Sequence, residues 1–374
     1  MNKLFYPFTG LLAYALEKAS NPFVKKDINI NKVKNIAVVL LQGIGNTVLF
    51  LPALDALEKN FPRTKIFIIA NKENKELLSA YNNFIFLEYP SKMPFLSRVK
   101  FLLKTRKNNF DLIIYGYPNM DMWPTILCML MGGYRLLSDY KVGFYDNCNF
   151  LNNKSVDYDW KKSDVTQNIK MIKALNIKIE NSAIPKLKVP KDAEEKSARY
   201  LRDAGDKVKI CIHIGAGVPI KKWPAEHFAE LTNLIVKKYG YSVVLVGGKS
   251  EGHEIGDYLK CIKVPIINLV GKLSVIETAA VIKECDVLVS NDSGPMHIGS
   301  AVGTKVIALY GPSTDIFRTQ PVGKNNKVLT LKLPCSPCIS AAKVTCPLGT
   351  HFCLRGLKPQ TVLDEIRAAV TRKT

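Results

Sequence analysis

The chain has 374 residues, enough for two or three domains with substantial cores. Its apolar fraction of 47% and charged fraction of 23% are those of a globular protein, and it lacks the run of 18 apolar residues that a membrane-spanning helix needs. The 53 Lys and Arg against 32 Asp and Glu favour anionic partners, which include phosphates, nucleic acid and acidic lipid surfaces.

Residues 1–30 form a predicted N-terminal extension. The stretch from Leu4 to Leu16 is mostly apolar, but Pro7 and Gly10 interrupt it and no convincing cleavage site follows, which argues against a signal peptide. With lysines following it, this segment could be an interfacial helix on a membrane face. The alternative is an extension packed on the first domain.

Residues 31–185 are predicted to form a first domain of alternating strands and helices. Apolar runs predict buried parallel strands at 35–41, 65–70, 84–87 and 111–115, with helical patterns between them. Gly43 and Gly45 follow the first strand, where they allow a tight turn and a close approach of the backbone to a ligand. They match the dinucleotide-binding fingerprint only in part, because its third glycine is lacking.

A basic stretch lies between the third and fourth of these strands. In residues 92–107, six basic residues alternate with apolar ones. A basic amphipathic helix of this kind could face anionic lipid or a phosphorylated acceptor. The alternative is that the charges are the solvated face of a packed helix.

The second half of the chain repeats the organisation of the first. Residues 152–192 are polar, with Pro185 and Pro190 framing a predicted linker, and residues 190–355 form a second predicted domain. Its strands are expected at 209–214, 242–246, 266–269, 287–290 and 306–310. The repeated order predicts an α/β protein with two Rossmann-like domains facing each other across a cleft, and residues 356–374 as a helix packing back.

Polar residues follow three of the strands in this second half. Lys221 lies near Gly215 and Gly217, where a cation suits a diphosphate, and Glu251 follows a glycine pair, where a carboxylate could accept bonds from a ribose. The turn after the fourth strand adds Asp292, Ser293, Gly294 and His297. An Asx turn with a helix cap would explain that turn alone. Together, at the carboxyl ends of parallel strands, these residues predict a nucleotide-diphosphate pocket.

Four segments of the chain resemble glycosyltransferase family 9, the heptosyltransferase-like enzymes of lipopolysaccharide assembly. They are GIGNTVLFLPAL (43–54), HIGAGVPIKKWPAEHFAEL (213–231), VVLVGGKSE (243–251) and NDSGPMHIGSAVGTKVIALYGP (291–312). The resemblance implies a GT-B fold, with the sugar nucleotide held by the second domain and the acceptor by the first. It also implies inverting, metal-independent transfer of heptose from an ADP-activated donor to an anionic, lipid-linked glycan.

By the same resemblance, Lys221 would hold the diphosphate and Glu251 the ribose. Asp292, Ser293, Gly294 and His297 would line the phosphate and sugar end of the pocket. The family usually has an aspartate, the expected base, directly after the glycine of the first loop, but here that residue is Asn46. An amide cannot act as a general base, although it can orient a hydroxyl. Another carboxylate could act, Asn46 could serve in positioning, or transfer could have been lost.

Four cysteines cluster near the C-terminus, at positions 335, 338, 346 and 353. The first two form a CxxC pair. The four thiols, Cys335, Cys338, Cys346 and Cys353, could hold a structural zinc ion or an iron–sulfur cluster. Two disulfides are the alternative, which a reducing cytoplasm disfavours. Similar cysteines in the family imply a structural role beside the cleft.

The sequence therefore predicts a glycosyltransferase that acts on the cytoplasmic face of the inner membrane and needs no cofactor for transfer. The predicted partners are a nucleotide-diphosphate sugar, an anionic lipid-linked acceptor and the membrane surface. A nucleotide-sugar-binding protein without catalysis, motivated by Asn46, and a sugar-nucleotide epimerase of GT-B fold are the alternatives. Nucleic-acid binding is not expected, because no stacking motif accompanies the positive charge.

Overall fold

A computed structural model describes most of the chain, which divides into two compact units near residue 184. The described residues are 28–116, 128, 131–139, 141–142, 145–146, 153–157, 159, 161–177, 179, 184–311, 316–336, 338 and 346–371. The predicted interfacial segment within residues 1–27 lies outside them. Within the described part, no helix combines the length and the apolar composition needed to cross a membrane.

The first unit is built on a parallel sheet of six strands, ordered β3-β2-β1-β4-β5-β8. The strands are β1 (Asn35–Leu40), β2 (Lys65–Ala70), β3 (Phe84–Glu88), β4 (Leu112–Tyr115), β5 (Tyr134–Asp139) and β8 (Lys154–Asp157). A separate antiparallel pair joins β6 (Lys141–Val142) to β7 (Tyr145–Asp146). In β1 and β2 every residue after the first is buried, because helices cover both faces of a parallel sheet.

Four helices are described before residue 184. They are α1 (Ile44–Asn60), α2 (Lys72–Leu77), α3 (Phe95–Thr105) and α4 (Asp164–Lys173). Helix α4 lies within the polar stretch 152–192, ahead of the predicted linker between Pro185 and Pro190. Its buried Val165, Ile169 and Ile172 lie at helical spacing and α4 packs against α1, so a polar composition concealed one apolar face.

The second unit contains an equivalent sheet, ordered β11-β10-β9-β12-β13-β14. Its parallel strands are β9 (Lys209–His213), β10 (Ser242–Val246), β11 (Ile267–Asn268), β12 (Val287–Asn291), β13 (Lys305–Leu309) and β14 (Lys327–Leu329). The first strand in the sequence lies at the centre of each sheet, with the second and third on one side and the later strands on the other. This is the strand order of a dinucleotide-binding fold.

The helices described after residue 184 surround this second sheet. They are α5 (Lys191–Tyr200), α6 (Ala225–Tyr239), α7 (Gly252–Cys261), α8 (Val275–Lys283), α9 (Gly294–Val302), α10 (Ile316–Thr319), α11 (Phe352–Arg355) and α12 (Pro359–Thr371). Helix α12 packs against α6 and β13. The core includes Trp223, 2% exposed, whose indole N–H donates to the carbonyl of Leu357 at 3.0 Å.

Candidate functional site

The candidate site lies at the point in the second sheet where the order of the strands reverses. Strands β9 and β12 are neighbours there, with His213 paired with Ser290, but the connections that follow them lead to opposite sides of the sheet. The loops after such strands diverge and leave a crevice at the carboxyl edge, which is where open α/β sheets bind ligands. The residues predicted after β9, β10 and β12 all reach this edge.

His213, the last residue of β9, joins two of these loops. Its Nε2 lies 3.1 Å from Glu251 Oε1, and its Nδ1 lies 3.1 Å from Ser293 Oγ. Because a carboxylate only accepts, Nε2–H of His213 donates to Glu251. Sequence reasoning did not select His213. The sequence feature that could have identified it is a polar residue at the end of an apolar strand.

The same contacts set the charge of Glu251. Burial raises the pKa of this carboxyl, but the hydrogen bond and charge of His213, the amide of Gly248 and the charge of Lys222 together lower it below the ordinary value. The amide of Gly248 donates to Glu251 Oε2 at 2.9 Å. Glu251 is therefore an ionised acceptor at neutral pH, as a contact to ribose hydroxyls requires.

The position of the Glu251 carboxylate leaves no room for a side chain at two glycines. A Cβ atom on Gly215 would lie 1.8 Å from Glu251 Oε1, and one on Gly247 would lie 2.4 Å from Oε2. Any side chain at either position would displace the carboxylate. Gly217 and Gly43 differ, because a Cβ atom on either would meet nothing within 4 Å.

Lys221 and Asp292 form an ion pair across the β9 and β12 loops. Lys221 ends a single helical turn, Pro219–Lys221, and its Nζ lies 2.7 Å from Asp292 Oδ2. The two side chains are 25% and 7% exposed, so the pair is partly shielded from water. An incoming diphosphate would find a cation already oriented by a buried carboxylate.

His297 is a buried neutral group beside this pair. Burial lowers the pKa of its imidazole to about 4, with Asp292 raising it and Lys221 lowering it further. Its Nδ1 is a buried nitrogen that hydrogen bonds no group among the described residues. Buried polar atoms are normally paired, so the hydrogen-bonding capacity of this nitrogen is left unused by the described residues.

The turn before α9 departs from a simple capping arrangement. Ser293 is the N-cap residue of α9, but its side chain makes no capping bond and contacts His213 instead. The Asx-turn and cap explanation is therefore wrong for Ser293. Gly294 is the first residue of α9, so the helix begins within the turn.

Asn291, also missed from the sequence, fixes the β9 loop. Its Oδ1 accepts the amide of Trp223 at 3.0 Å, and its Nδ2 donates to the carbonyl of Ile214 at 2.8 Å. This buried side chain ties both ends of the segment that carries Lys221 to the end of β12. A polar residue closing an apolar strand was again the available signal.

The predicted base position lies in the first unit. Helix α1 begins at Ile44, so Gly45 and Asn46 belong to its first turn, and the amide of Asn46 donates to the carbonyl of Gly43 at 3.0 Å. The loop before α1 is held by Asn74, whose Nδ2 donates to the carbonyl of Gln42 at 2.7 Å. The structure thus places Gly43, Gly45 and Asn46 in one unit and the predicted donor-binding residues in the other.

The cysteine segment contacts the Lys221 turn through a histidine. His351 lies between Cys346 and Cys353, and its Nε2 is 2.8 Å from the carbonyl of Ile220. All the cysteines that the structure describes are free thiols. Amides of His351, Leu348 and Thr350 lower the pKa of the Cys346 thiol, whereas burial raises that of Cys353 to about 11.

The chemistry and the spacing of these thiols bear on whether they hold a metal ion. The backbone amides around Cys346 suit a thiolate ligand. However, among the residues described, no three His, Cys, Asp or Glu side chains lie close enough to hold one ion.

Solved structures of known proteins place the fold in the GT-B class of glycosyltransferases. A glycosyltransferase family 9 protein from Veillonella parvula is similar with a TM-score of 0.76 at 21% identity, covering 92% of this chain and all of that one. The ADP-heptose lipopolysaccharide heptosyltransferase II of Escherichia coli gives a TM-score of 0.73 at 21% identity, covering 91% of this chain and 99% of that one.

The chain belongs to glycosyltransferase family 9 (heptosyltransferase), whose family model matches residues 106–348. The lipooligosaccharide heptosyltransferase 2 of Campylobacter jejuni is 35% identical over 156 residues, which are 40% of this chain and 48% of that protein. The aligned part of the chain thus spans about half the length of the curated relatives it matches.

Proposed function

We propose that this protein transfers a heptose from ADP-heptose to the core of lipopolysaccharide or lipooligosaccharide, with inversion at the anomeric carbon. The observation that carries the proposal is the group at the carboxyl edge of β9 and β12: an ionised Glu251, the Lys221–Asp292 pair and a buried neutral His297. Family membership and the relatives' names, which include heptosyltransferase 2 and heptosyltransferase 3, supply the reaction class.

Each end of the donor has a matching group in this site. The carboxylate of Glu251 accepts hydrogen bonds from the ribose, and Lys221 binds the diphosphate together with the backbone amides at the start of α9. Nδ1 of His297 remains for a hydroxyl of the donor. Its imidazole is neutral, so it can exchange a hydrogen bond with that hydroxyl without adding a charge.

Transfer requires one displacement. The acceptor hydroxyl oxygen bonds to the anomeric carbon while the bond from that carbon to the diphosphate breaks, and ADP leaves with the electron pair. Lys221 and the α9 amides stabilise the negative charge that develops on the leaving diphosphate. A metal ion is not required for this role in the proposal, because the protein supplies the positive charge.

The acceptor proton must pass to a base that is not Asn46. We assign Asn46 the orientation of the acceptor hydroxyl, since its amide can donate and accept but cannot hold the proton. Its place in the first turn of α1 leaves the side chain half-buried at the carboxyl edge of β1. The acceptor is therefore assigned to the first unit and the donor to the second.

The reaction is proposed to occur on the cytoplasmic face of the inner membrane, where ADP-heptose and a lipid-linked acceptor would meet. The net charge of +21 suits both a diphosphate donor and a phosphorylated acceptor.

The test is a transfer assay with radiolabelled ADP-heptose and truncated lipopolysaccharide, measuring heptosylated lipid and free heptose separately. We expect heptosylated product in the presence of a chelator, and its loss in Lys221→Gln but not in Lys237→Gln, a matched change in α6. Binding of ADP-heptose without transfer to any truncated core would contradict the proposal and leave a donor-binding protein.

A further inference from the structure

Helix α3 presents an exposed surface in which apolar and basic side chains alternate. We call Met93, Leu96, Lys100, Leu103 and Lys104 the α3 face. Leu96 is 71% exposed, Met93 53% and Leu103 43%, and both lysines are exposed. Because residues 96, 100 and 103 follow the helical spacing of four and three, they form one line along the outside of α3.

The opposite side of α3 is fixed in the first unit. Leu102 is 1% exposed, and the rings of Phe101 and Tyr89 meet edge to face at 5.9 Å between centroids. Arg98 lies beside Tyr89: burial raises the pKa of that phenol, and the positive charge of Arg98 lowers it in part. The outward direction of Leu96 and Leu103 therefore follows from the packing of α3 and is not a consequence of fraying.

The charged residues of the segment that carries α3 have a single sign. Residues 89–110 contain six Lys and Arg and no Asp or Glu. A purely solvated helix face would need no leucine at two of its outermost positions, whereas an interfacial helix needs apolar side chains and lysines together.

We propose that the α3 face docks on an anionic lipid bilayer. Met93, Leu96 and Leu103 enter the region between the headgroups and acyl chains. Lys100 and Lys104 bury their methylene groups and keep their ammonium groups at the lipid phosphates. The inference deepens the proposed function by naming the surface that brings the protein to its lipid-linked acceptor, and rests on that function only for this purpose.

Other occupants fit the α3 face less well. Lysine is depleted in the cores of protein–protein interfaces, yet Lys100 lies between the two leucines. A nucleic acid would use aromatic rings for stacking, and a glycan would use hydrogen-bonding groups, whereas the exposed large side chains here are aliphatic.

Co-sedimentation of the full-length chain with lipid vesicles tests the proposal without donor or acceptor. The probe is a phosphatidylcholine vesicle containing about one third phosphatidylglycerol, compared with pure phosphatidylcholine. We expect Leu96→Ser with Leu103→Ser to weaken binding to anionic vesicles by about tenfold or more, since two apolar side chains are lost. Lys100→Gln with Lys104→Gln should weaken it about tenfold and reduce its salt dependence.

Matched controls use exposed residues elsewhere. Leu259→Ser with Leu348→Ser removes two leucines that are 39% and 63% exposed, and Lys237→Gln with Lys238→Gln removes two exposed lysines of α6. Both controls should bind vesicles as the unaltered protein does. Unchanged binding by the α3 variants, equal losses in the controls, or a changed oligomeric state with unchanged vesicle binding would each overturn the proposal. Transfer to a deacylated, soluble acceptor should persist in the α3 variants, which separates this result from a failure of the proposed function.

Discussion

Nε2 of His213 lies 3.1 Å from Oε1 of Glu251, although 38 positions separate the two residues in the sequence. Their contact joins the loops that follow two neighbouring strands. Nδ1 of His213 also lies 3.1 Å from the Ser293 hydroxyl at the start of α9, so one imidazole connects the proposed ribose-binding carboxylate to the proposed phosphate-binding turn. A rigid connection of this kind lets both ends of a sugar nucleotide meet groups that are already in place.

The first prediction concerns this connection. His213→Ala should raise the KM for ADP-heptose by about tenfold, because Glu251 and Ser293 each lose a hydrogen-bond partner. Steady-state kinetics with the donor varied measures the change, and kcat should fall less than KM rises.

A double-mutant cycle with Glu251→Gln separates positioning from general damage. If His213 acts through Glu251, the two changes together should cost clearly less than the sum of the single effects. Full additivity in donor affinity would show that the 3.1 Å contact does not transmit the effect.

The second prediction concerns Lys221. Lys221→Gln should weaken ADP binding by about tenfold to a hundredfold, because a charge-assisted contact to the diphosphate is removed. Calorimetric titration with ADP and with adenosine provides the measurement. Only ADP binding should change, since adenosine has no diphosphate, and an equal loss for both ligands would indicate a distorted pocket instead.

The third prediction concerns the stability of the protein in mild acid. The pKa of His297 is lowered by burial from 6.5 to about 4, so the unfolded chain binds a proton in this range and the folded protein does not. The contribution of His297 to the free energy of unfolding is therefore present above pH 6.5. It is lost progressively as the pH falls towards 4, by roughly 3 kcal/mol in all. Denaturant unfolding of the protein and of His297→Gln should give free energies whose difference shrinks by this amount. Parallel pH profiles would contradict the burial of a neutral imidazole.

The two six-stranded sheets could be predicted to a large extent because buried parallel strands appear as uninterrupted apolar runs. Asn35–Leu40 and Val287–Asn291 were both predicted within two residues. Helix α4 was missed because its apolar residues are few and only their spacing distinguishes them from a polar linker. The polar loops of the site were also predictable, since they follow strands directly.

The contacts within the site could not be predicted. Nothing in the sequence pairs His213 with Glu251 or Asn291 with Trp223, since each contact depends on the lateral order of the strands. The requirement for glycine at position 215 has the same origin. It arises from a carboxylate that reaches this backbone from another loop, and not from the turn in which Gly215 lies.

The fourth prediction concerns Asn46. Asn46→Ala should lower kcat by about tenfold or more, because the acceptor hydroxyl loses its orienting group, while affinity for ADP stays unchanged. Asn46→Asp should keep kcat within about tenfold, since the start of a helix accommodates a carboxylate and residue 46 is assigned the orientation of the acceptor hydroxyl and not the removal of its proton. A gain well beyond tenfold in Asn46→Asp would show that the natural chain lacks an effective base.

The fifth prediction concerns Cys346 and its link to Lys221. If the four late cysteines hold a structural metal, purified protein should contain about one zinc or iron per chain, and Cys346→Ser should lose it. Because His351 follows Cys346 closely and hydrogen bonds the carbonyl of Ile220, the same variant should weaken ADP binding through the turn that carries Lys221. His351→Gln is the matched variant: it should weaken ADP binding and leave the metal content of the protein unchanged. Elemental analysis and ADP titration of both variants provide the measurements. Protein without zinc or iron, together with unchanged ADP binding in Cys346→Ser, would mean that these thiols are neither ligands nor a support for the donor site.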